Sequence, residues 1–583
     1  MAGSSNLIKV PNFNGVPKLE EMVLEGCSKL RTLDPSIGKL KNLKLLNLKR
    51  CQELTSLPNK FELKSLVTLN LTSCSKIKKI PEFVENMKHL QELLLKGTAI
   101  TELPSSVECL IGLNTLILQD CKKLVCLPNN FCNLTSLKNL DLLGCSKFDK
   151  LPEDLGNIVS LKELCLSKTA IRELPSSFEF LIGLTSLALT DCKNFVLLPS
   201  TICSLKSLEF IYLTGCSKFD KLPKDFGNIG SLYMLVLGGT AIKELPSSIE
   251  FLTGLAQLYL VDCKMFVLLP STICSLKSLR SIRLSRCPKF VNLPENLGNL
   301  KRLIWLYLDG TAIEVLPSSV GCLAALQSLN LKDCKNLVCL PSTICNLKRV
   351  VFLDLTGCSK IANLPENMWN MESLSELSLG GTAIKELPFK GCQLSSSSLT
   401  SMPSSRNIDL SDCNLSAIPS GIDCINQPFG YSSNLFLRGN DFVSLPESMS
   451  QFSGLTRLYL DGCKSLRSLS NIPSKVYFIC VDNCTSLEKL PEPPNDFYRS
   501  SLWNFTVQCF NCFKLASNIQ NFFSNMFQVS LSNFYVCFLN ITFLGNYANI
   551  LQVSISVSVC VCWVLFIYLF TPKIIVCIFS GTS

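Results

Sequence analysis

Side chains that could carry out catalysis are either scarce or regularly repeated in this chain of 583 residues. His89 is the one histidine, so histidine acid–base catalysis and histidine metal sites have almost no material. Glu102, Glu173, Glu244 and Glu314 recur once per long internal repeat, which indicates a structural pattern rather than a general acid–base pair. Phosphate-binding, metalloprotease and serine-hydrolase motifs are absent. The sequence therefore predicts a protein that is not an enzyme and needs no cofactor.

Cysteine is the most abundant candidate for redox or metal chemistry, with 32 residues. The sequence does not contain the two C-x-x-C motifs that together supply the ligands of a typical zinc site, so a zinc site is not expected. Eleven of the cysteines stand at one fixed place in a short repeat, where a small thiol suits a buried turn. We expect free structural thiols rather than disulfides. These cysteines are Cys27, Cys51, Cys74, Cys121, Cys145, Cys192, Cys216, Cys263, Cys287, Cys334 and Cys358.

The short repeat has the pattern L-x-x-L-x-L-x-x-C/T and returns at a nearly constant interval from Leu19 to Leu374, with successive starts such as Leu184, Leu208 and Leu232. This leucine pattern at this period is the signature of a leucine-rich repeat solenoid of about twenty repeats. The alternating leucines predict one short strand per repeat, and the strands stack in parallel over a shared core. We expect an α/β-type solenoid: a horseshoe with a parallel β-sheet on its concave face and irregular or short helical convex segments.

A longer unit contains three short repeats, of which one has T-A-I where the others have cysteine. The T-A-I segments of successive triplets begin, for example, at Thr169, Thr240 and Thr311. Residues 169–208 and 240–279 are nearly identical, as expected from segmental duplication. Proline follows the leucine in segments such as ELPSS and LLPST, and its fixed φ and missing N–H predict a turn there.

The expected domain boundaries follow the regularity of the repeats. Their predicted ranges are residues 1–18, a degenerate first repeat; 19–389, regular repeats; 390–407, a serine-rich insertion; 408–494, degenerate repeats; 495–517, the truncated start of a post-repeat domain; and 518–583, an apolar tail. Within the tail, residues 551–570 are long enough for a transmembrane helix, although V-S-I-S-V-S-V alternates as a strand does. The tail is interpreted either as such a span or as a non-native extension.

Residues between the inward leucines should cover the concave face, and between Leu208 and Gly310 they are unusually aromatic and basic. Aromatic and arginine side chains on an otherwise polar surface are typical of protein-binding hot spots, although cross-strand stacking for stability is the alternative. The candidate binding residues are Phe210, Tyr212, Tyr233, Met234, Tyr259, Arg280, Arg283, Arg286, Trp305 and Tyr307.

Composition limits the partners further. Hydrophobic residues make up 47% of the chain and charged residues 17%, which excludes a disordered polypeptide. The net charge of +10 is spread without a basic block, so we expect a protein partner and no nucleic acid. The N-terminus has no basic region followed by an apolar run, so no signal peptide is recognised.

The chain resembles the leucine-rich repeat region of plant intracellular disease-resistance receptors of the TIR nucleotide-binding class, a family that includes the tobacco mosaic virus resistance protein. The resemblance covers about residues 4–515. It rests on NLIKVPNFNGVPKLEEMVLEGCSKL, on GCSKFDKLPEDLGN alternating with GTAIKELPSS, and on SLEKLPEPP followed by FNCFKL at 510–515. In that family FNCFKL begins a β-rich domain that helps recognise pathogen effectors, and this chain departs from the pattern after Ser517.

The resemblance implies a fragment of an innate immune receptor that binds a pathogen effector or another receptor domain. The family's TIR and nucleotide-binding domains are expected to be absent, so no enzymatic or nucleotide-binding residue is carried over. The implied compartment is the cytoplasm, with the nucleus as a second location. The alternative is a membrane-anchored receptor-like protein that uses 551–570 as its anchor.

Overall fold

The computed structural model describes residues 2–83, 87–368, 371, 373–385, 407–416, 433–445, 447–451, 454–489, 504–512, 514–515, 537–543 and 552–559. The chain divides into two compact units. The first contains residues 1–414 and 419–430, and the second contains residues 415–418 and 431–583.

The first unit is built on a parallel sheet to which nearly every repeat adds a short strand. Each strand residue pairs with the equivalent residue of the next repeat, as Leu187 does with Ile211. The leucine period predicts this register, and the prediction of a leucine-rich repeat solenoid is confirmed. The sheet strands are β1 (Glu21–Val23), β2 (Leu45–Asn47), β4 (Thr68–Asn70), β6 (Glu92–Leu94), β7 (Thr115–Ile117), β8 (Asn139–Asp141), β9 (Glu163–Cys165), β10 (Ser186–Ala188), β11 (Phe210–Tyr212), β12 (Met234–Val236), β13 (Gln257–Tyr259), β14 (Ser281–Arg283), β15 (Trp305–Tyr307), β16 (Ser328–Asn330), β17 (Phe352–Asp354), β18 (Glu376–Ser378) and β19 (Asn407–Asp409). A separate parallel pair joins β3 (Lys60–Phe61) and β5 (Glu82–Phe83).

The return segments form short 3₁₀ helices, and proline stands at the N-cap or the first position of most of them. Pro246 occupies the N-cap of one such helix with φ −66°, which is the value its ring imposes. These helices are Pro35–Lys39, Ser105–Cys109, Asn129–Asn133, Leu155–Asn157, Ser176–Phe180, Ser200–Ser204, Phe226–Ile229, Ser247–Phe251, Ser271–Ser275, Leu297–Asn299, Ser318–Cys322 and Ser342–Asn346.

The core lies between the strands and the 3₁₀ helices. The middle residue of each strand is buried, and so are the flanking leucines, as Leu255, Leu258 and Leu260 show. Phenylalanines of neighbouring repeats add stacked pairs, with ring centroids 5.8 Å apart for Phe266 and Phe290. Burial of every second strand residue leaves the residues between them on the opposite side. We call that solvent-facing side the sheet face.

The second unit continues the pattern with parallel strands β20 (Ser433–Phe436), β21 (Leu455–Tyr459), β22 (Phe478–Cys480) and β23 (Asn504–Phe510). Two further strands, β24 (Cys537–Phe543) and β25 (Gln552–Val559), are antiparallel to each other, and β25 is antiparallel to β23. The 3₁₀ helix Glu447–Gln451 belongs to this unit.

Several predicted segments fall partly or wholly outside the described residues. The serine-rich insertion at 390–407 is described only at its last residue, and the tail at 518–583 only in β24 and β25. Residues 552–559 of the candidate span at 551–570 are strand β25, and residues 560–570 are not described. Among the described residues, no helix has the length and apolar character needed to cross a membrane.

Candidate protein-binding surface

Strands β11 to β15 bring the ten predicted binding residues to one stretch of the sheet face or its borders. In β11 only the middle residue is buried, while Phe210 and Tyr212 are half-buried on the other side. Trp305 of β15 is 40% exposed, and Tyr233, just before β12, is 41% exposed. None of the ten side chains is buried. All ten therefore lie at the surface, and their role in binding stays a prediction.

An aromatic group occupies the first of these strands. Phe210 lies against Tyr212 with nearly parallel rings 6.5 Å apart, and against the edge of Tyr233 with centroids 6.0 Å apart. Met234 is paired with Phe210 in the strand register. The Phe210–Tyr233 contact joins neighbouring repeats, so part of the aromatic surface packs on itself, as the alternative interpretation predicts.

A second group is built around an arginine. The register places Arg283 of β14 directly between Tyr259 of β13 and Tyr307 of β15. The guanidinium carbon lies 5.0 Å from the ring centroid of Tyr259 and 4.8 Å from that of Tyr307. Both distances are within the range of cation–π attraction, which is worth about 0.5–1 kcal/mol at an exposed site. We call these three residues the Tyr–Arg–Tyr stack.

The three candidate arginines have different surroundings. Arg286 lies in the turn after β14 with φ 58° and makes a two-point ion pair with Asp262, with Nε–Oδ1 2.9 Å and Nη2–Oδ2 2.5 Å. The hydrogen bonds from this guanidinium lower the pKa of Asp262 to about 2. Arg280 and Arg283 are exposed, and no carboxylate of the described residues forms an ion pair with either. Arg286 is therefore already paired with a carboxylate, whereas the guanidinium groups of Arg280 and Arg283 have no paired carboxylate among the described residues. We call such an unpaired guanidinium an open cation.

The cysteine turns are structural. Cys216 donates from Sγ to the carbonyl oxygen of Leu189 at 3.0 Å, and Cys287 donates to Leu260 at 2.9 Å, so each thiol ties its turn to the preceding repeat. Where the repeat has threonine, Thr240 donates instead to Leu237 of its own repeat at 2.7 Å. Burial raises the pKa of the Cys216 thiol to about 12, which makes this thiol unreactive. Cys216, Cys263 and Cys287 form no disulfide.

The candidate catalytic carboxylates have no catalytic geometry. Glu102, Glu173, Glu244 and Glu314 are exposed on the segments that follow their strands, at intervals of 70 or 71 residues. The structure therefore does not bring them together.

One cluster of metal-ligand types is present in the described residues, in the second unit. Ligand atoms of Asp461, Cys480 and Asp482 lie within 4.8 Å of one another. Asp461 Oδ2 already accepts from Arg438 at 2.6 Å, and Asp482 Oδ1 accepts from the backbone N–H of Phe510 at 2.8 Å. Because the carboxylates of this cluster already accept hydrogen bonds from the protein, the cluster is explained without a metal.

Sequence analysis missed an aromatic group on the second unit. Phe436 and Tyr459 stack with centroids 4.5 Å apart, and Phe478 lies 5.4 Å from Tyr459. Arg438 lies 5.1 Å from the Phe436 ring and 5.0 Å from the Tyr459 ring, and it forms an ion pair with Asp461. The signal was present in LFLRGND and LTRLYLDGC, where aromatic residues follow the same alternation with leucine.

The chain matches one protein family and is similar to two named plant proteins over part of its length. Residues 18–149, 210–306 and 291–389, more than half of the chain, match the family described as leucine-rich repeat region. Disease resistance-like protein DSC1 of Arabidopsis thaliana is 36% identical over 187 residues, which are 28% of this chain and 15% of that protein. Probable disease resistance protein RPP1 of the same plant is 32% identical over 137 residues, which are 24% and 10% of the two chains. The matches thus span a small part of these relatives.

The structure of the Toll–Spatzle complex of Drosophila gives a fold comparison. Its TM-score is 0.51 at 17% identity, and the alignment covers 77% of this chain and 60% of that chain. At this identity the likeness concerns the fold alone.

Proposed function

Because the chain belongs to the leucine-rich repeat family, we propose that it is a protein-recognition module that binds its partner through the sheet face of β11 to β15. The observation that supports this most is the group of surface aromatic and arginine side chains on these strands. Such residues dominate binding energy in protein interfaces, and solenoids commonly bind through their exposed sheet.

We further propose that the module belongs to a plant intracellular immune receptor. Partial similarity to two disease resistance proteins of Arabidopsis thaliana supports this assignment. The partner would then be a pathogen effector, or another domain of the same or a different immune receptor held in an inactive state. The proposed compartment is the cytoplasm. The TIR subclass rests on the sequence motifs alone.

The test selects binders for the full chain from a displayed library of pathogen secreted proteins and plant immune-receptor domains. Calorimetry then compares the wild type with a Tyr259→Ala/Tyr307→Ala double variant. We expect the double variant to lose more than about 1 kcal/mol of binding free energy, because both rings belong to the proposed hot spot.

A matched control replaces exposed aromatic residues that lie off the sheet face. Phe180 and Phe251 are 57% and 58% exposed at the ends of their 3₁₀ helices. A Phe180→Ala/Phe251→Ala variant should bind as the wild type does. Equal affinity of the tyrosine variant and the wild type for every selected binder would refute the proposed surface.

A further inference from the structure

The Tyr–Arg–Tyr stack holds a guanidinium in a fixed place without neutralising it. Rings on both neighbouring strands flank Arg283, so the positions directly opposite it hold no carboxylate. Stacking restricts the side chain, while its N–H donors remain at an exposed position. An arginine restrained in this way loses less conformational entropy when it binds a planar anion.

Two carboxylates in the turns of these repeats, Asp262 and Asp309, have other partners. Asp262 is bound by Arg286 and also by Lys264, whose Nζ lies 3.2 Å from Asp262 Oδ1. Asp309 Oδ1 accepts a hydrogen bond from Ser285 Oγ at 2.6 Å. Both carboxylates therefore have other partners, and no carboxylate of the described residues forms an ion pair with Arg283.

Arg280 provides a second open cation just before the same strand, β14. Its backbone N–H is bonded to the carbonyl oxygen of Ala256, which fixes its place beside β13. At about 3.3 Å per residue, the Cα atoms of the two arginines are ~10 Å apart. Exposed Trp305 and half-buried Tyr307 lie on the next strand and supply apolar contact area beside the cations.

From this geometry we infer that the sheet face recognises an acidic protein segment, with one carboxylate bound by the edge of Arg283 and a second by Arg280. This inference rests on the proposed function and adds the chemistry of the partner. A guanidinium and a carboxylate match as two planar groups that form two parallel hydrogen bonds. An extended segment with two acidic residues two or three positions apart spans the required distance.

The experiment selects a library of random dodecapeptides on the immobilised full chain. We expect enrichment of peptides in which two Asp or Glu residues are two or three positions apart, with one or two residues between them. Calorimetry with these peptides should show a loss of about tenfold or more for Arg283→Gln, because a hydrogen bond to a charged group is removed. Arg283→Lys keeps the charge without the planar fork and should lose part of the affinity.

The control is Arg302→Gln, which removes an exposed arginine from the turn before β15, outside the sheet face. It should retain wild-type affinity. Circular dichroism melting of Arg283→Gln should show a cooperative transition with at most a small drop in melting temperature, because two exposed cation–π contacts but no core contact are lost.

Three results would overturn the inference. Selected peptides without acidic enrichment would do so, as would an affinity for acidic peptides within twofold of wild type after Arg283→Gln. A dodecamer of thymidine that binds in an Arg283-dependent way, while acidic peptides do not bind, would point to nucleic-acid phosphate instead. If peptide affinity depends on Tyr259 and Tyr307 but not on Arg283, the inference fails and the proposed function stands. If peptide affinity depends on none of the three residues, both the inference and the proposed function are contradicted.

Discussion

Each unit of the molecule contains an arginine held against aromatic rings, and the two arrangements differ in their counter-ion. In the first unit Arg283 lies between Tyr259 and Tyr307, and no carboxylate of the described residues pairs with it. In the second unit Arg438 lies against Phe436 and Tyr459, which stack on each other, and its Nε is 2.6 Å from Asp461 Oδ2.

The difference comes from the repeat position of each arginine. Arg283 is the last strand residue, where its neighbours in the register are the tyrosines of the adjacent strands. Arg438 stands two positions after Phe436, in the turn region, where a carboxylate of the next repeat can reach it. The same attraction between arginine and rings thus serves a closed structural contact in one unit and leaves an open cation in the other.

The largest effect is expected from removing the leucine beneath each group. Leu258 and Leu458 are fully buried next to Tyr259 and Tyr459. Replacing either with alanine should cost about 2–5 kcal/mol, because the lost apolar contacts leave a cavity. Hydrogen exchange of the strands in the affected unit measures this cost. A loss below about 1 kcal/mol would show that the strands do not depend on the leucine core.

A carboxylate introduced beside Arg283 should form an ion pair with it and so neutralise the open cation. In Tyr307→Glu the new side chain lies opposite Arg283, at a cross-strand distance of about 5 Å between Cβ atoms. We expect acidic dodecapeptides to bind about tenfold more weakly to this variant than to Tyr307→Gln, since both lose the ring and one also neutralises the arginine. Calorimetry on the two variants decides, and equal affinities would contradict the role of the open cation.

Removing the carboxylate of Asp461 should leave the guanidinium of Arg438 without an ion-pair partner. Asp461→Asn leaves Arg438 against its rings without a carboxylate, and the stability of the second unit should fall by less than about 1 kcal/mol, as for an exposed ion pair. The variant should gain measurable affinity for the acidic peptides, by calorimetry with Arg438→Gln/Asp461→Asn as its control. If stability fell by several kcal/mol, the ion pair would be a major support of the fold rather than a simple counter-ion.

The smallest effect concerns Arg286, the arginine of the first unit that is already paired. Its guanidinium holds the pKa of Asp262 at about 2, below the ordinary 3.8. Because the folded-state pKa is lowered, ionised Asp262 stabilises the fold above about pH 4, and this contribution is lost as the pH falls toward 2. Exposure and solvent screening limit it to under about 1 kcal/mol.

Nuclear magnetic resonance titration of Arg286→Gln should show the pKa of Asp262 rising toward its ordinary value. Lys264→Gln removes the weaker partner and should raise that pKa less. An unchanged pKa in Arg286→Gln would contradict the ion pair on which the contrast among the three arginines depends.

The fold could be predicted from the sequence because one physical rule repeats along it. Residues such as Leu235 and Leu258 hold the same place in successive repeats, so the parallel register follows directly from counting. The Tyr–Arg–Tyr stack is visible in the same way, since Tyr259, Arg283 and Tyr307 hold the same place in three successive repeats. Periodic placement determines which side chains are neighbours.

The ion pairs of Arg286 and Arg438 could not be predicted by counting residues along the repeats. Arg286 reaches Asp262 only because both residues adopt positive φ in adjacent turns, with φ values of 58° and 61°. The register pairs Tyr459 with Phe436, so these rings follow the same alternation with leucine as the rings of the first unit. Arg438 lies in the turn after β20, and its contact with Asp461 of the next repeat depends on that turn. Turn geometry decides the ion pairs of Arg286 and Arg438.

The most direct test of the central claim is photo-crosslinking to a partner selected from the domain library. Benzoylphenylalanine is placed in the full chain at the position of Tyr259, on the sheet face, or at that of Phe251, an exposed aromatic in the same repeat region on a 3₁₀ helix. If the sheet face is the binding surface, illumination should crosslink the partner to position 259 and not to position 251. Crosslinking through position 251 with none through position 259 would place the partner on the helical side and contradict the account.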